Sequence, residues 1–145
     1  QRTEEMLKLM EIEHLRKANP YDLSGGEQQR LALAKVMVSN PDILLLDEPT
    51  KGLDPFFKQT LGRILRSLCK ENKTIFMVSH DIEFCAEFGD CCSMFFDGEI
   101  ATRGSAKEFF SGNNFYTTVE NKLTRKWCEG IITGEEARTW IRSLL

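Results

Sequence analysis

The chain has 145 residues, 41% of them hydrophobic and 28% charged, which is enough for one sizeable core and small for two independent domains. Its net charge of -3 excludes an overall positive field of the kind that draws proteins to nucleic acid or anionic lipid. No apolar run approaches the roughly 20 residues that span a bilayer, and Gln1-Arg2-Thr3-Glu4-Glu5 has no signal-peptide pattern. The expected setting is the cytosol, with any link to a membrane made through protein.

From Thr3 to about Lys17, Met6, Leu7, Met10 and Leu15 recur at helical spacing, predicting an amphipathic helix that Asn19-Pro20 brings to an end. Ser24-Gly25-Gly26-Glu27 then sets a serine three residues before a glutamate, a helix start, and the helix is expected to run to Val38. Asn40-Pro41 stops it. The continuous apolar run Ile43-Leu44-Leu45-Leu46 has the pattern of a strand buried on both faces of a parallel sheet. Asp54-Pro55 offers an N-cap with proline in the first turn of a second helix, continued by Leu61, Ile64, Leu65 and Leu68.

Thr74–Val78 is the next expected strand, Asp81 to about Phe88 a short helix, and Cys92–Phe96 a third strand. Asp97-Gly98 favours a tight hairpin, so Glu99–Arg103 should return antiparallel. Helical segments follow at Ser105–Ser111, Phe115–Trp127 and Gly134–Leu145. Alternation of strands and helices predicts an α/β fold. The Gly112-Asn113-Asn114 joint sets off 113–145 as a helical appendage to a core over 1–112.

Five cysteines, Cys69, Cys85, Cys91, Cys92 and Cys128, form an odd set without a C-x-x-C pair or a companion histidine cluster. They read as structural thiols in a reducing compartment rather than zinc ligands. Cys91 and Cys92, adjacent on an expected strand, should point to opposite faces.

Asp47 and Glu48 lie just past the carboxyl edge of the first strand, where open α/β sheets bind ligands. One carboxylate there can hold Mg²⁺ and its neighbour can activate a water, although an Asp-Glu pair at a strand end also serves as a solvated loop or helix cap. The glycines after Ser24 would leave backbone N–H groups open at the positive end of a helix dipole, suited to a phosphate; an ordinary capped helix accounts for the same residues. His80, at the end of the second strand, reads by itself as a hydrogen-bonded structural residue, with a donor to a phosphate as the alternative. His14 lies outside every motif.

Taken in order, Leu23–Arg30, Ile43–Pro49, Gly52-Leu53-Asp54 and Val78-Ser79-His80-Asp81 resemble the signature, Walker B, D-loop and switch-histidine motifs of the ABC ATPase family. The resemblance implies part of a P-loop NTPase fold, with a mostly parallel sheet and flanking helices. It implies that Asp47 organises Mg²⁺, that Glu48 is the catalytic base and that His80 contacts the γ-phosphate of ATP. Ser24, Gly25, Gly26 and Glu27 would meet ATP held by a second ABC ATPase domain, and Asp54 would communicate across that interface.

None of the ten glycines is followed by lysine, so the G-x-x-x-x-G-K-[ST] phosphate loop (Walker A) and its strand are absent from the 145 residues, which read as a fragment or truncated product. The expected consequence is uncovered apolar surface on Ile43–Leu46 and Thr74–Val78.

The stretch Asp47 to Pro55 looks like the transporter version of the family. Val78 to Gly104, Phe115-Tyr116-Thr117-Thr118 with Asn121, and Ile132–Glu136 resemble energy-coupling-factor importers of vitamins and metal ions, including the cobalt group. This implies the ATP-hydrolysing subunit of an importer, peripheral on the cytoplasmic face of the membrane and without nucleic acid. Its partners would be a transmembrane subunit and a second cassette in a homodimer, heterodimer or tandem chain. The competing expectation is a catalytically incompetent piece that binds or regulates a cassette.

Overall fold

The structure is a computed structural model that describes residues 2–113 and 116–145. It divides into two compact units, Gln1–His80 and Asp81–Leu145.

In the first unit, α1 is Arg2–Leu9 and α2 is Gly25–Val38, with single 3₁₀ turns at Glu13–Leu15 and Pro20–Asp22 between them. The helix expected to reach Lys17 therefore stops eight residues early. Glu11 has a φ of 58°, and the amides of Glu11 and Ile12 donate back to the carbonyls of Lys8 and Leu7 at 2.9 Å each. This is a Schellman stop with glutamate in the left-handed position that glycine usually fills. Burial of Met10 and Ile12 on either side of Glu11 drives it, since a continuous helix cannot turn residues two apart to the same face.

The start of α2 is as expected. Ser24 is its N-cap, with a reciprocal capping box to Glu27. β1 (Ile43–Asp47), α3 (Pro55–Lys70) and β2 (Thr74–Val78) follow. Asp54 caps α3 by accepting from the Phe57 amide at 2.9 Å. Phe57, Leu61, Ile64 and Leu65 form its buried stripe at helical spacing.

β1 and β2 pair in parallel, with Leu44 opposite Ile75, Leu45 opposite Phe76 and Leu46 opposite Met77. Burial alternates strictly along β1. Leu44 is 2% exposed, whereas Ile43 is 63% and Leu45 74% exposed. The expectation of a strand buried on both faces is thus corrected: one face is covered and the other is bare, because no described element of the first unit packs on it. Phe76 and Val78 extend the bare face across β2, which agrees with the uncovered apolar surface expected for these strands.

The second unit contains α4 (Ile82–Phe88), the strands β3 (Cys91–Phe96) and β4 (Glu99–Ser105), and three further helices: α5 (Ala106–Gly112), α6 (Val119–Thr124) and α7 (Gly134–Ser143). β3 and β4 form an antiparallel sheet of their own. Asp97 and Gly98 both have positive φ, 49° and 83°, the hairpin turn that Asp-Gly favours. A register shift between Met94 and Phe95 makes a bulge. Cys91 is exposed and Cys92 half-buried, as their alternation on a strand requires.

Ala86, Ala106, Phe110 and Ile132 form the core of this unit, so residues of the expected appendage pack directly against α4 and α5. The helix predicted over Phe115–Trp127 is only α6. Phe115 lies outside the described residues, and Thr118 caps α6 by accepting from the Asn121 amide. The Thr117 hydroxyl donates to the Phe110 carbonyl, and Asn121 donates to Ile131 at 3.2 Å. Side chains bonded to the backbone, the Thr117 hydroxyl, the Thr118 hydroxyl and the Asn121 amide nitrogen, thus take the place of the longer helix. Helix α7 ends at Ser143 rather than Leu145.

Candidate active site

The parallel pairing brings the end of β1 against the end of β2, and Asp47 stands opposite Val78. Glu48 follows with a φ of 47°, a left-handed backbone that costs a residue with a side chain roughly 1–3 kcal/mol unless its surroundings hold it. They do. Its amide donates to the Val78 carbonyl at 2.9 Å. Its carboxylate accepts the His80 amide, at 3.1 Å on Oε1 and 3.4 Å on Oε2, and the Ser79 hydroxyl at 3.5 Å.

His80 Nδ1 lies 2.7 Å from Glu48 Oε2. A carboxylate only accepts, so Nδ1 carries the proton of this contact. The hydrogen bond from the His80 ring holds the Glu48 carboxyl below its ordinary value; desolvation opposes it and the His80 amide reinforces it. Glu48 is therefore ionised at neutral pH. The His80 ring is 81% exposed and available to something outside the chain. Asp47 is exposed beside this pair.

Glu48 and Pro49 also connect to α2. Gln29 Nε2 reaches both of their carbonyl oxygens at 3.3 Å. One turn nearer the helix start, a Cβ on Gly26 would sit 2.8 Å from the Gly52 carbonyl oxygen, closer than real side chains pack. Gly52 itself has a φ of 73°, which suits glycine. Gly25, by contrast, faces open space.

Arg30 completes this line of contacts. It lies 2.6 Å from Asp54 Oδ2 and 3.4 Å from Glu11 Oε2, and its guanidinium is 3.7 Å above the Phe57 ring. The Phe57 amide holds the Asp54 carboxyl low, and Arg30 adds to the effect. At the head of α2, the Ser24 hydroxyl donates to Glu27 Oε2 at 2.6 Å and the Ser24 amide does so at 2.8 Å; together these lower the Glu27 carboxyl.

Of the residues singled out in the sequence, the structure joins Glu48 to His80 directly. The Ser24–Glu27 turn forms a separate cluster. Asp54 belongs to neither and is tied to α2 by Arg30. Sequence reasoning took Gln29 and Arg30 only as members of a motif. Their spacing from Gly26, one helical turn along the same face, was the available signal for a shared neighbour.

A profile described as ABC transporter matches residues 1–51. A putative ABC transporter ATP-binding protein from Bacillus cereus is 50% identical over 133 residues, which is 92% of this chain and 24% of that protein. The chain is thus similar to part of an ABC transporter ATP-binding domain. The energy-coupling factor transporter ATP-binding protein EcfA3 of Oenococcus oeni is 36% identical over 79% of this chain and 40% of its own length. The solved dimeric structure of MJ0796, a bacterial ABC transporter cassette, superposes with a TM-score of 0.68 at 36% identity, covering 72% of this chain and 46% of that one. The α/β fold is accordingly that of an ABC cassette, in part. The chain spans about a quarter of the length of the Bacillus relatives it matches. Among the described residues no helix is long and apolar enough to cross a membrane.

Proposed function

We propose that this chain supplies the catalytic glutamate, switch histidine, D-loop and signature turn of an ABC importer's ATP-hydrolysing subunit. The observation that carries the reading is the Glu48–His80 pair at the carboxyl ends of two parallel strands. An ionised Glu48, fixed at its amide and both carboxylate oxygens, is preorganised to orient a water and take its proton as it attacks the γ-phosphate. His80 is the outward-facing member. With Nδ1–H committed to Glu48, its Nε2 can donate to a phosphate only as the imidazolium, and otherwise the ring must turn away from Glu48 first.

Asp47 would hold Mg²⁺. Among the described residues no three His, Cys, Asp or Glu side chains form a cage, which suits an ion held by one or two carboxylates together with water and substrate phosphates. The bound ion would neutralise phosphate charge. ATP itself would be cradled by a phosphate loop that these 145 residues do not include. Ser24, Gly25, Gly26 and Glu27 would face ATP of a second cassette, with Asp54 at the same interface.

The energy-coupling-factor reading, with a vitamin or metal ion as solute, a transmembrane partner and residues 113–145 as an appendage on the cytoplasmic side, draws on the Thr117–Asn121 and Ile132–Glu136 resemblance and on the EcfA3 similarity. A non-catalytic regulatory module is the second reading, favoured by the bare face of β1 and β2, a surface for another protein element.

The test uses the full-length protein. Glu48→Gln should retain ATP binding and slow hydrolysis by roughly 10²–10⁴-fold; unchanged turnover would remove Glu48 from its role. In that slowed background Ser24→Arg should abolish ATP-dependent dimerisation while leaving monomer affinity for ATP intact. Normal dimerisation would return Ser24 to being a helix cap only.

A further inference from the structure

Gln29 lies on the helix that carries the signature turn, yet its side chain points away from that turn's open end and into the catalytic turn. Both groups within its reach are carbonyl oxygens, those of Glu48 and Pro49 at 3.3 Å, so its amide must present nitrogen there and not oxygen. The Glu48 carbonyl belongs to a residue in left-handed backbone. A donor on this carbonyl stabilises a conformation the chain would otherwise leave, and the direction of the Glu48 side chain depends on that conformation.

The contacts on either side of Gln29 are stiff. The Gly26 backbone abuts Gly52 without room for a side chain, and Arg30 is fixed between Asp54, Glu11 and the Phe57 ring. Together they form a seam along one face of α2, from the Ser24 turn to Asp54. A displacement at the head of this helix reaches Glu48 through Gln29, because no other side chain of α2 is hydrogen-bonded to that turn among the described residues.

We propose that Gln29 is a positioning residue for ATP hydrolysis, tying the signature helix to the strained turn that presents Glu48 so that engagement of phosphate at Ser24–Gly26 sets the aim of the base. The proposal rests on the reading of Glu48 as the base. It assigns Gln29 no contact with ATP or water, so its removal should affect turnover and not nucleotide capture.

The experiment compares Gln29→Met, which keeps the length of the side chain and removes the donor, with Gln29→Glu, which regains a donor only when protonated. In the full-length protein Gln29→Met should lower kcat about tenfold, the effect of one lost hydrogen bond at the reacting geometry. KM for ATP should stay within about twofold. The kcat of Gln29→Glu, taken as a ratio to the unmodified protein, should rise as pH is lowered from about 8 to about 5.5, approaching the carboxyl range, and the ratio for Gln29→Met should stay flat.

Wild-type kcat in Gln29→Met overturns the proposal. So does a loss of kcat matched by an equal loss of folded protein in thermal melts, or a flat ratio for Gln29→Glu. Glu48→Gln run alongside separates the two levels. If Glu48→Gln is slow and Gln29→Met is fast, only the coupling fails; if Glu48→Gln is itself fast, the base assignment fails.

Discussion

At the carboxyl ends of β1 and β2, Glu48 has partners at its amide, its carbonyl and both carboxylate oxygens, while earlier on the same strands Ile43, Leu45 and Phe76 each leave more than half of their surface in solvent. The contrast lies in the range of the forces involved. Hydrogen bonds act over about 3 Å, and the groups that fix Glu48 are close at hand on β2 and α2. Burial of a strand face needs a whole packed layer, and none of the described residues of the first unit provides one on that side. The turn at Glu48 can therefore be fully organised in a body whose hydrophobic layering is incomplete.

The sharpest way to break this contrast is to mutate neighbours on the two faces of β1. Leu46→Ala, on the covered face, should destabilise the 145-residue chain by about 2–5 kcal/mol in denaturant unfolding. Leu45→Ser, one residue away and 74% exposed, should change it by no more than about 0.5 kcal/mol. Equal costs would mean that the bare face is covered in solution. In the full-length protein the cost of Leu45→Ser should approach that of a core residue, which the same measurement checks.

A smaller effect is expected on the polar side. Arg30→Met removes a charged hydrogen bond to Asp54 and the stacking on Phe57, and should lower stability by roughly 1–2 kcal/mol. The value sits low in its range because Asp54 is half-exposed and water replaces part of the lost contact. Chemical denaturation at low and high salt would check it, and a strong salt dependence would mean that Arg30 acts mainly through solvent-screened charge.

The smallest effect is the response to acid. Glu48, Asp54 and Glu27 all have carboxyls held below their ordinary values in the folded chain. A depressed folded-state value gives stability that is present above the unfolded value of about 4 and is lost as pH falls through the folded one. Thermal midpoints should thus hold from neutral pH to about pH 5 and then decline. Glu48→Gln should make that decline shallower; an unchanged acid limb would show that His80 does not stabilise the Glu48 carboxylate.

Legibility followed the locality of each interaction. The Ser24–Glu27 box, the Asp54 cap, the four strands and the Asp97-Gly98 turn are short-range patterns, and each was visible as such. The stop at Glu11 was not, because the left-handed position is filled by glutamate and the burial of Met10 and Ile12 that enforces it comes from the tertiary fold. The bare face of β1 could be anticipated only from the missing phosphate loop, since Ile43–Leu46 alone reads as buried on both sides. The Phe115–Trp127 helix was overextended because Thr117, Thr118 and Asn121 were read for resemblance and not as cap and backbone partners. In the site, the placement of Asp47, Glu48 and His80 at the ends of the two strands was legible from order along the chain, whereas for Gln29 the local pattern offered only a helix face shared with Gly26 and not its contact with two carbonyls nineteen and twenty residues away.

Gly25 and Gly26 look alike in the sequence and differ in what they report. Gly26 is required by the chain's own backbone, where the Gly52 carbonyl leaves no room, so intolerance to substitution there is a fact about folding. Gly25 has nothing within 4 Å of where a side chain would begin, and its own fold imposes no such demand. If a substituted Gly25 folds normally and the protein nevertheless fails, the obstruction is with a body that is not this chain. Gly25 is thus a built-in probe of the outside, and tolerance at this single site reads out whether, and when, another surface arrives.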